Sequence, residues 1–145
     1  MTMVHAENDD MLGWMTERLY AAGLTQAMYH AVAHAQLAED EATGRAIAIG
    51  ELLDVPMLFV HVSGPNATAA IRAAQTRGLK VYGETCPQYL LLTAADLDRP
   101  GGEGAKFCCS PPPRTADAQA AIWAGLQNGT FQVVSSDHSA YRFDV

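Results

Sequence analysis

Three residues able to bind a divalent metal each stand at the end of a short apolar run. His5 closes TMVH, His61 closes MLFVH, and Asp137 follows FQVVSS in the segment VVSSDH. Two imidazoles and one carboxylate form a donor set that suits zinc or a similar ion. A metal held there would acidify bound water towards neutrality and so provide hydroxide without a strong external base. Taken singly, each residue has an ordinary explanation. A histidine at a strand end is often structural or solvated, and an aspartate after two serines often serves a turn or a helix cap. Three such residues at equivalent strand ends are harder to ascribe to coincidence.

Other residues carry weaker signals. His30 and His34 are spaced to share one helical face, but with no third ligand nearby they read as solvated. Cys86 reads as a small buried residue rather than a nucleophile. Glu7 and Glu84 lie just beyond strand tips, where they could orient metal ligands through hydrogen bonds. His138 follows Asp137 directly and is expected to point away from the metals, with a supporting role at most.

The elements that must position these residues follow from the hydrophobic pattern. Four β-rich stretches occur at residues 2–5, 57–63, 79–84 and 131–136. They are largely apolar rather than alternating, as expected of parallel strands buried on both faces. Helices are expected over Asp9–Ala22 with Gly23 as the cap, Glu39–Leu53, Asn66–Arg77 closed by Gly78, and Asp117–Leu126. Asn128-Gly129 turns the chain into the last strand. A long connection runs from Tyr29 to Ala38, and the Gly- and Pro-rich segment Thr93–Arg114 reads as a long functional loop. The order is that of a parallel α/β fold, in which C-terminal strand ends converge on one face and build the active site.

Composition narrows the partners. The chain has 145 residues, 49% of them apolar and 17% charged, which suits one globular domain spanning residues 1–145. A net charge of −7 with nine scattered Lys and Arg argues against nucleic acid or an anionic membrane. Three cysteines without metal-finger spacing read as free thiols in a reducing cytoplasm. No signal peptide is expected, and Glu51 and Asp54 interrupt the longest apolar run, which excludes a membrane span there.

VHAEN, FVHVS, GETCPQYL, CSPPPR and SSDHSAY, in this order, together resemble the cyclic amidohydrolases, in particular the hydantoinase and dihydropyrimidinase branch. The resemblance covers essentially the whole chain. It implies a parallel β/α half-barrel, strands five to eight of a TIM-type amidohydrolase barrel lacking the N-terminal half. It also implies a two-metal centre, usually zinc, and ring opening of a cyclic amide or ureide. By motif, His5 and His61 match the histidines of the second metal. Asp137 matches the aspartate that binds the first metal and shuttles the proton. Ser110 matches the serine whose backbone contacts the substrate's cyclic amide. The Ser-Pro-Pro form of that loop favours this branch over dihydroorotases and allantoinases.

The family's His-x-His pair is absent, and Lys80 and Lys106 do not stand where its bridging lysine would. The resemblance therefore implies three of six protein ligands and a chain inactive by itself. Either these residues are a piece of a longer protein with a missing N-terminal half, or a homo-oligomer or a separate N-terminal half completes the barrel, since open parallel edges invite pairing. A non-catalytic, dihydropyrimidinase-related scaffold or assembly protein is the alternative, but retention of His5, His61 and Asp137 favours the enzyme.

Overall fold

Neighbouring strands that run parallel need a crossover to carry the chain back between them, and each pair here has a helical one. The computed structural model describes residues 1–139. It comprises β1 (Thr2–Val4), α1 (Asp9–Ala21), α2 (Met28–Ala33), α3 (Gln36–Leu53), β2 (Met57–Phe59), α4 (Pro65–Thr76), β3 (Val81–Thr85), α5 (Pro87–Leu91), α6 (Ala116–Gln127) and β4 (Phe131–Val134). The four strands form one parallel sheet in sequential order, with Met3 beside Leu58 and Leu58 beside Tyr82. A register shift at Gly83 and Glu84 precedes the pairing of Thr85 with Val134. Each strand delivers its C-terminal end to the same side, the arrangement expected of part of a parallel β/α barrel.

Local chemistry explains most boundaries. The Asn8 side chain caps α1 by accepting from Met11 N–H at 3.1 Å, and Asp9 and Asp10 complement the positive end of the helix dipole. Gly23, at φ 74°, takes the left-handed position that ends a helix. α4 begins on Pro65, whose missing N–H costs nothing in the first turn. Thr115 caps α6 by accepting from Ala118 N–H.

The core lies between the sheet and α3, α4 and α6. Phe59, Ile71 and Ile122 are fully buried there, with Met57, Val81 and Phe131 closing the sheet side. Gly125 lets α6 come close: a Cβ at that position would lie 2.5 Å from Phe131 Cε2. The other face of the sheet departs from expectation. Met3 is 67% exposed and Tyr82 41%, with Val133 exposed in the same way. On this face β1, β3 and β4 are left uncovered, whereas Leu58 of β2, between Met3 and Tyr82, is buried.

The remaining differences are local. α3 begins at Gln36, three residues before Glu39, and has no side-chain cap to mark its start. The stretch Tyr29–Ala38 holds most of α2, and the Thr93–Arg114 segment contains two 3₁₀ turns, Ala94–Asp98 and Pro100–Phe107. The short helix α5 sits inside GETCPQYLL, too brief to show a periodic pattern. All three cysteines are free, and among the described residues no helix is long and apolar enough to cross a membrane.

Candidate metal centre

His5 follows β1 directly and His61 lies two residues beyond β2, so parallel pairing brings them side by side. Val60 N–H bonds Val4 C=O at 3.2 Å, locking the two strand exits in register. His5 Nδ1 then lies 2.9 Å from His61 Nε2, with the rings edge to face. Glu7, whose side chain is 1% exposed, lies 3.3 Å from His5 Nε2. An ionised carboxylate only accepts, so it holds the proton on Nε2 and leaves the Nδ1 lone pair directed at His61. A metal-ligating histidine is ordinarily oriented in this way.

Electrostatics separate the two rings. The hydrogen bond to Glu7 raises the His5 pKa against the opposing effect of burial, and the charges of Glu7, Glu39 and Asp137 add to it. Burial lowers that of His61, and the charge of His5 lowers it further. His61 is 7% exposed, and its Nδ1 is buried with no hydrogen-bond partner among the described residues. Burial would push the Glu7 carboxyl up, but hydrogen bonds from His34 and His5, helped by their charges, hold it down to about 2. The pair thus offers one oriented and one neutral imidazole, a donor set that fits a divalent metal.

Backbone strain marks the same places. Only three described non-glycine residues have a positive φ: Asp54 at 49°, His61 at 43° and Asp137 at 46°. Each such residue costs roughly 1–3 kcal/mol unless its surroundings hold it there. Two of the three are the residues expected to bind metal.

Asp137 stands on the same end of the sheet, near enough for its charge to act on both histidines. It does not close with them into a site: among the described residues no three His, Cys, Asp or Glu side chains converge to hold a metal. Asp137 instead shares an open cleft of about 640 Å³ with His138 and Ser110. Glu84 reaches the Asp137 segment indirectly, accepting a short hydrogen bond from Ser135 Oγ.

His30 and His34 were expected to be solvated, and the structure corrects this. His34 Nδ1 donates to Glu7 at 3.0 Å, and its side chain is only 18% exposed. Its ring lies against that of His30, tilted by 40° with centroids 4.3 Å apart. His30 Nε2 in turn donates to Cys109 C=O at 2.8 Å and lies 3.4 Å from Ser110 Oγ. The i, i+4 spacing was visible, but a helix end lies between the two: α2 stops at Ala33.

One group had no signal in the sequence. Arg114, at the end of the Pro loop, donates from Nε to Ser63 Oγ at 3.0 Å and from Nη2 to Glu39 at 3.2 Å. Its Nη1 donates to His34 C=O in a further short bond. Glu39 also accepts from Ser63 N–H at 2.7 Å and Ser63 Oγ at 2.6 Å. This buried cluster fixes the turn two residues beyond His61. In the sequence, Glu39 belongs to an acidic run that reads as a solvated helix face.

The chain is 41% identical over 144 residues to a D-hydantoinase of Rhizobium radiobacter, covering 99% of this chain and 32% of that protein. The chain belongs to the hydantoinase and dihydropyrimidinase family. Among solved structures, a dihydropyrimidinase from Brevibacillus agri superposes with a TM-score of 0.95 at 47% identity, covering 97% of this chain and 31% of the other. An L-hydantoinase (dihydropyrimidinase) from Arthrobacter aurescens gives 0.85 at 31% identity, covering 94% and 30%. No family model matches. The chain spans about a third of the length of these relatives, consistent with four strands of a hydantoinase barrel.

Proposed function

We propose that this chain is part of a metal-dependent hydrolase that opens a cyclic amide or ureide, of the hydantoin or dihydropyrimidine type, at a ring C–N bond. The observation that carries the reading is the pair of imidazole nitrogens 2.9 Å apart at adjacent strand ends, one oriented by buried Glu7. His5 and His61 would hold a divalent metal, expected to be zinc, and Asp137 would complete the ligands this chain provides. Such an ion supplies Lewis acidity and activates water when bound. The chain's own part is orientation and proton handling. The backbone of Ser110, across the cleft from Asp137, positions the cyclic amide. An Asp137 carboxylate oxygen takes up a proton and returns it to the leaving ring nitrogen. The reading places the protein in the cytoplasm, with the remaining ligands supplied from outside residues 1–145, by an N-terminal half or a second copy.

Metal analysis after dialysis against zinc tests the ligands. Wild-type chain should retain zinc, and His61→Ala should lose most of it; equal retention would overturn the assignment. Purified chain with zinc should hydrolyse neither dihydrouracil nor hydantoin. Measurable turnover would refute the view that the site needs a complement.

A further inference from the structure

His5 and Ser110 are separated by 105 positions in the chain, yet a continuous line of side chains joins them. It runs from His5 Nε2 to Glu7 (3.3 Å), from Glu7 to His34 Nδ1 (3.0 Å), across the tilted, touching rings of His34 and His30, and from His30 Nε2 to Cys109 C=O (2.8 Å) beside Ser110. Each link constrains the next. Glu7 is an acceptor shared by two imidazoles, and its side chain is buried, so the His34 ring cannot turn without leaving Oε1 unpaired. The His34 backbone is held as well, because Arg114 donates to its carbonyl from the end of the same loop. His30 meets the loop twice, at Cys109 C=O and at Ser110 Oγ.

We propose that His34 and His30 are positioning residues that set the Ser110 loop at a fixed place relative to the metal-binding His5. They touch neither metal nor substrate. Their role is to make the loop that receives the cyclic amide and the imidazole that holds the metal parts of one rigid unit. This rests on the reading of His5 as a metal ligand and of Ser110 as a substrate contact. The geometry of near attack depends on such placement: an error of about 1 Å between substrate and catalytic group can cost two orders of magnitude in rate.

The test is nuclear magnetic resonance on the 145-residue chain, first without metal and then with zinc alone. His34→Phe keeps a ring against His30 and removes the bond to Glu7. It should move the Cys109 and Ser110 amide resonances together with those of the His5 ring, and weaken zinc binding about tenfold. His34→Asn can place a side-chain N–H where Nδ1 stands but has no ring to lay against His30, so it should restore the His5 ring resonances and zinc binding and leave the loop resonances moved. His30→Phe should move the loop resonances and leave the His5 ring where it was. Loop resonances unchanged in both phenylalanine variants would overturn the proposal. So would failure of His34→Asn to restore the His5 ring and zinc binding, since the bond to Glu7 would then not explain the effect of His34→Phe. If zinc moves neither His5 nor His61 in the wild-type chain, the metal reading fails, and the metal-free spectra still decide whether the loop is held through His34.

Discussion

Replacing Arg114 with methionine keeps the length of the side chain and removes its charge. In the native chain Glu39 is 2% exposed, and burial raises its carboxyl pKa against the charge of Arg114 and the bonds from Ser63. Without the guanidinium, Glu39 keeps only its two Ser63 donors, and the His34 carbonyl and Ser63 hydroxyl lose a partner. Breaking one side of a buried ion pair costs about 3–5 kcal/mol. At roughly 3 °C per kcal/mol for a chain of this size, Arg114→Met should lower Tm by about 10–15 °C. The sign with pH follows from the raised carboxyl. A folded state that holds the proton more tightly than the unfolded one gains stability as pH falls through the folded pKa. The loss should therefore be larger at pH 8 than at pH 5. Glu39→Gln in the Arg114→Met background should recover at least about 1 kcal/mol by removing the stranded charge. Thermal and urea denaturation followed by circular dichroism measures all three. A loss below about 1 kcal/mol, or a double variant no more stable than Arg114→Met, would refute the reasoning.

Other outcomes follow from single contacts. Glu7, held at about 2 in the folded chain, should contribute stability present above its ordinary value near 4.5 and lost as pH falls towards 2. Glu7→Gln should flatten acid unfolding in that window. Gly125→Ala should destabilise by about 1–3 kcal/mol, because its methyl would meet Phe131 at 2.5 Å, as thermal denaturation would show. Gly13→Ala should do the opposite by about 1 kcal/mol, since a Cβ in α1 there meets nothing within 4 Å. Asn8→Ala should cost about 1 kcal/mol through loss of the α1 cap, read in the same melt.

The sequence made the strand tips legible because apolar runs ending in His or Asp carry local information. His5 and His61 could be paired before any coordinates, since adjacent parallel strands must bring their ends together. Glu7 was legible for the same reason, being three residues beyond its strand. What joins distant segments was not. Glu39 meets Arg114 across 75 positions, and His30 meets Cys109 across 79, and neither pair leaves a periodic trace. The helices α2 and α5, of six and five residues, are shorter than two turns of any pattern that could announce them. The exposed sheet face was misread because unbroken apolar strands suggest two covers, and the pattern does not say whether both covers belong to one chain.

The left-handed backbone at His61 and Asp137 bears on how such a site is lost over evolutionary time. Glycine relieves this conformation entirely and asparagine in part. A lineage released from selection on the metal would therefore gain stability, by about 1 kcal/mol or more at each position, by replacing these two residues with glycine or asparagine. Reversion would then require a destabilising substitution at the same position. On the proposed metal reading, decay of the site would act as a ratchet, and both strained residues are still present in this chain.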